Sequence, residues 1–72
     1  MSSKLIEEHL SDVTVDNLMK FRADAFDRYA KARGVEIGVN AVGQFVVKAK
    51  DNKYTINNPS VAIEKYKELV RL

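Results

Sequence analysis

The sequence predicts an α+β domain in the order helix, helix, three-stranded antiparallel meander, helix, and three observations carry that reading. Apolar residues recur at helical spacing before Gly34 and after Pro59. Between those points they alternate with a period of two. The helical stretches open on polar cap residues, and the alternating stretch is interrupted by turn-forming ones. At 72 residues the chain is one domain, 1–72, of a size that buries only about 60 % of its unfolded surface. Its 46 % apolar and 31 % charged residues suit a packed core.

The first element is a short helix over Lys4 to Leu10, with Leu5, Ile6, His9 and Leu10 on one side. A second helix starts after Thr14, which caps it, while Val13 and Leu18 have the spacing of a hydrophobic staple. Gly34 reads as its left-handed stop, so the helix is expected to span residues 15–33, with Lys31 and Arg33 beside the negative end of its dipole. Its apolar arc, from Phe21 and Leu18 through Tyr29 and Phe26 to Met19, Ala30 and Ala23, covers about half the circumference. The opposite arc, with Asp16, Lys20, Asp24, Asp27, Arg28 and Lys31, reads as a solvated face. Arg22 falls near the middle of the apolar arc.

Val35, Ile37 and Val39, then Phe45, Val47 and Ala49, then Tyr54 and Ile56 mark three strands. A three-residue turn, Ala41 to Gly43, keeps the apolar faces together by pairing Val39 with Phe45 and Ile37 with Val47. It also sets Glu36 opposite Lys48. A two-residue turn at Asp51-Asn52 is expected to pair Ala49 with Tyr54, Val47 with Ile56 and Lys50 with Lys53. Asn58-Pro59 then gives cap and first residue of a helix over 59–71, whose stripe of Ile63, Tyr66, Leu69 and Val70 should lie on the same sheet face as the long helix.

Several function classes lack their residues. Without cysteine there is no disulfide framework and no thiolate zinc site or nucleophile. His9 is the sole histidine, read as a surface residue, and no metal-ligand or phosphate-loop motif occurs. A non-enzymatic protein is therefore expected, with no cofactor and no small-molecule substrate. MSSKLIEEHL is too acidic for a signal peptide and no apolar run is long enough for a membrane span, so the expectation is a cytoplasmic protein without membrane contact. Such a chain suits an accessory protein of a bacterium or phage.

Two surfaces remain. The first is the apolar arc of helix 15–33, where Met19, Phe21, Arg22 and Phe26 have the composition of a protein interface; the expected function is a regulatory or interaction module binding a protein partner or a second copy. The alternative is nucleic-acid binding by the open face of the meander, through Gln44, Lys48, Lys50, Lys53, Thr55 and Asn57. The net charge of +2 is unevenly spread: residues 1–27 hold three bases against six acids, residues 28–72 nine against four. Only the second part attracts an anionic partner. The order of three strands and a helix over residues 35–71, ending in KYTINNPSVAIEKYKEL, is similar in topology to the DNA-binding domains of the AP2 type and to integrase arm-binding modules. It lacks the arginine and aromatic residues those sheets usually present.

Overall fold

A computed structural model describes residues 3–24 and 27–72. It is an α+β domain of three helices and four strands: α1 (Ser3–Asp12), α2 (Val15–Asp24), β1 (Arg28–Ala32), β2 (Val35–Val39), β3 (Phe45–Lys48), β4 (Lys53–Ile56) and α3 (Pro59–Arg71). The strands form one antiparallel sheet in sequential order. Phe26 lies outside the described residues.

The expected helix over 15–33 is corrected to a helix and a strand, which makes the sheet four-stranded rather than three. Its capped start stands: the Asn17 backbone N–H donates to Thr14 Oγ1 at 3.2 Å, and Val13 and Leu18 are both buried. Residues 28–32, however, pair with β2, Ala30 facing Ile37 and Ala32 facing Val35. Arg33 and Gly34 have φ of 50° and 80°, and a two-residue loop with both φ positive suits the right-handed twist of a hairpin. Gly34 is thus a turn residue and not a helix stop. Alanine's helix preference is at most about 0.7 kcal/mol over ordinary residues. The unpaired edge of β2 offers Arg28–Ala32 a ladder of hydrogen bonds instead, and that tertiary pairing prevails.

A register shift between Arg28 and Ala30 leaves Tyr29 as an extra residue in β1. The bulge turns Tyr29 toward α2, where its ring packs on Phe21 with centroids 5.4 Å apart. Arg28 and Lys31 meanwhile pair with Gly38 and Glu36 on the other side of the sheet. Arg33 also departs from its expected role at the end of α2. Its guanidinium donates to the carbonyl of Leu72, just past α3, at 3.4 Å.

The β2–β3 turn follows the expected register. Val39 pairs with Phe45, Ile37 with Val47 and Glu36 with Lys48, and Gly43 takes the left-handed position at φ 85°. The next hairpin is shifted by two residues from expectation. Phe45 pairs with Ile56, Val47 with Tyr54 and Lys48 with Lys53, and the reciprocal backbone bonds between Ala49 and Asn52 make Lys50-Asp51 the turn. This register sets two large apolar pairs across the strands, where the other would have spent Tyr54 on Ala49.

All three helices supply side chains to one side of the sheet. Ile6 and Leu10 of α1, Leu18 of α2 and Ala62, Ile63, Tyr66 and Val70 of α3 join Val35, Ile37, Val39, Phe45 and Val47 in a single core. Asn58 caps α3, its Oδ1 accepting from the N–H groups of Ser60 and Val61, with Pro59 as the first helical residue. Glu7 and Arg71 tie α1 to α3 through two parallel bonds of 3.0 and 2.8 Å. The Arg71 hydrogen bond holds the Glu7 carboxyl below its ordinary value. His9, expected at the surface, is half-buried, with Nε2 2.8 Å from the hydroxyl of fully buried Tyr66. Burial pushes that phenol up to about 12. Among the described residues no helix is long and apolar enough to cross a membrane.

Candidate nucleic-acid interface

The sheet side facing away from the helices carries three rows of side chains, set by the strand pairings. Along the first row lie Lys31, Glu36, Lys48 and Lys53, one per strand; along the second, Arg28, Gly38, Val46 and Thr55. Continuing the same alternation places Asn40, Gln44 and Asn57 in a third row, which their mutual hydrogen bonds join. Neighbouring members of a row are roughly 4.8 Å apart and successive rows about 6.7 Å, so the first and third rows stand about 13 Å apart.

A depression of about 290 Å³ opens on this face, with Gly38, Val46, Arg28, Asn40, Lys48 and Lys53 among its lining residues. Gly38 is required there. The Asp27 carbonyl accepts from the Val39 N–H at 3.0 Å, and a Cβ on residue 38 would stand 2.4 Å from that oxygen. Glycine thus lets the chain entering β1 cross β2 closely.

The charge on this face is unbalanced. Lys48 and Lys53 are directly opposed, an arrangement that costs stability on its own. Glu36 is engaged by Arg28, whose Nη1 donates to Oε1 at 2.9 Å. That hydrogen bond, together with the positive charges of Lys31, Arg28 and Lys48, keeps the Glu36 carboxyl below its ordinary value despite opposing desolvation. Asp27, at the rim, is exposed. Most of the acids in the first part of the chain lie elsewhere: Glu7, Glu8, Asp12 and Asp16 belong to α1 and α2, on the core side of the sheet.

Of the residues singled out for this face, Gln44, Lys48, Lys53, Thr55 and Asn57 do lie on it, and Lys50 is displaced into the β3–β4 turn. Arg28, Lys31 and Asn40 join them. The first two were hidden in the presumed solvated arc of a helix. Their signal was the pairing across Arg33-Gly34, which matches Lys31 with Glu36 and sets apolar partners on either side.

The other candidate surface is reduced. Met19 is 39 % exposed, but Phe21 is half-buried against Tyr29. Arg22, also exposed, carries its guanidinium over the ring of Phe45, 5.4 Å from the centroid, and beside Gly43. The arc that motivated this surface no longer exists as such, because Tyr29, Ala30 and Ala32 belong to β1. No family model, curated protein or solved structure matches this chain.

Proposed function

We propose that this chain is a non-enzymatic nucleic-acid-binding module that docks the open face of its sheet on the phosphate backbone. The observation that carries the reading is the row in which Lys31, Lys48 and Lys53, with Glu36 among them, share the side of the sheet turned away from the helices, Lys48 directly opposing Lys53. An anion between the two lysines converts their repulsion into attraction. Arg28, next to the depression, offsets the charge of Glu36, and the helices behind the sheet keep most of the acids away from the approaching polymer. A second reading, binding of a protein partner or a second copy at α2, draws its support from exposed Met19 of α2 and exposed Val42 in the β2–β3 turn, whose Gly43 lies beside Arg22. It has the weaker physical basis, since much of the arc behind it is used within the fold.

The test is anisotropy titration of a labelled mixed-sequence duplex at several salt concentrations. With three lysines neutralising about three phosphates, the slope of log K against log salt should be about −2.7, an affinity loss of roughly 40-fold between 50 and 200 mM. Replacing Lys48 and Lys53 together by alanine should bring the slope to about −0.9. An unchanged slope in that variant removes the open face from consideration.

A further inference from the structure

The third row of the open face has a property that composition alone does not convey: the orientations of its three amides are dictated by the backbone. Asn40 Oδ1 accepts from the N–H groups of Val42 (3.1 Å) and Gln44 (2.9 Å) within the β2–β3 turn, so this atom must be the oxygen. Asn40 Nδ2 is then left to donate to Gln44 at 3.3 Å, which obliges Gln44 to present Oε1 to it. Gln44 Nε2 consequently points at Asn57 and donates to Asn57 Oδ1 at 3.1 Å. One turn thus sets a chain of three side chains beside the ends of three strands.

The satisfaction count of Gln44 follows directly. Its oxygen has two acceptor positions, one taken by Asn40; its nitrogen has two hydrogens, one taken by Asn57. Since these partners flank it along the row, one lone pair and one N–H remain on the outward edge of a held amide. An adjacent acceptor and donor of this kind match N6–H₂ and N7 of adenine, as displayed in the major groove of duplex DNA.

We infer that Gln44 is the base-reading residue of this protein, selecting adenine in duplex DNA while the lysine row holds the backbone. This rests on the nucleic-acid reading above. The dimensions agree: the amide row spans two strand spacings, about 10 Å, within a major groove about 12 Å wide. Double-stranded RNA fits poorly, because its major groove is too deep and narrow for side chains to read. Holding the amide in advance reduces the ordering cost of the contact.

The experiment is selection of bound duplexes from a randomised pool by the full chain, the Gln44→Ala variant and the Gln44→Glu variant, with sequencing of each bound fraction and circular dichroism to confirm that each is folded. Gln44→Glu keeps the side-chain shape but removes the donor. The expected result is adenine enrichment at one or more positions, by about fivefold to 150-fold for a good bidentate contact, lost in the folded Gln44→Ala variant and in Gln44→Glu, whose added negative charge also weakens binding to every duplex in the pool. Adenine enrichment that survives Gln44→Ala overturns the inference. Duplex binding by the parent without base preference overturns it too, but leaves the backbone reading standing. Absence of duplex binding at low salt overturns both.

Discussion

Gly38→Ala is expected to destabilise the domain by about 3 kcal/mol, although glycine to alanine within a strand ordinarily gains about 0.5–1 kcal/mol. The added methyl would lie 2.4 Å from the Asp27 oxygen, 3.0 Å from Arg28 Cα and 3.1 Å from the Asp27 carbonyl carbon. All three are backbone atoms, so no side chain can swing aside. Overpacking of this kind costs about 1–3 kcal/mol, and displacing Asp27 also breaks its bond to the Val39 N–H, adding about 1 kcal/mol. For a domain of this length the total stability is about 4–11 kcal/mol. A loss of this size is readily visible in urea denaturation. The sign is the informative part: a stabilised variant would mean that Asp27 does not cross β2 at Gly38, and β1 would then not deliver Arg28 and Lys31 to the open face.

Tyr66→Ala should lower stability by about 3–5 kcal/mol, the cost of emptying a fully buried aromatic site. That approaches the whole stability of the domain. Tyr66→Phe should cost only about 1 kcal/mol, because it keeps the volume and removes just the hydrogen bond to His9, whose half-buried ring retains access to water. Chemical denaturation of the two variants separates packing from hydrogen bonding. Equal losses would show that the His9 contact, and not the ring, holds α1 against α3.

How far the fold could be read from the residues depended on whether local and tertiary signals agreed. Around Asn58-Pro59 they did: cap, first helical residue and apolar stripe all specify α3, and the structure has it at Pro59–Arg71. The β2–β3 register was legible because parity and Gly43 admitted one solution. At Tyr29–Arg33 they conflicted. Two alanines among helix-compatible residues conceal a strand that exists because β2 has an edge to fill, and only the match of Lys31 with Glu36 across Arg33-Gly34 betrays it. Gly34 then served two hypotheses equally, as a helix stop and as the second residue of a hairpin turn.

The β3–β4 error had a different origin, since Asp51-Asn52 and Lys50-Asp51 are both acceptable two-residue turns and only the larger cross-strand pairs favour the second. A shift of two residues preserves faces. Lys48, Lys53, Thr55 and Asn57 therefore remained on the open side, whereas Lys50 did not. The like-charge pair of that hairpin survives as Lys48 opposite Lys53. The amide chain was out of reach of the sequence, because it depends on the turn folding so that Asn40 Oδ1 caps two backbone N–H groups.

The central claim, that this protein engages nucleic acid through the sheet side turned away from its helices, is tested most directly by amide chemical-shift mapping of the ¹⁵N-labelled chain during titration with a mixed-sequence DNA duplex at low salt. The predicted result is perturbation concentrated at Lys31, Gly38, Gln44, Val46, Lys48 and Lys53, with α1 and α3 unaffected. Shifts confined to α2 around Met19 and Arg22, or no shifts at all, would contradict it.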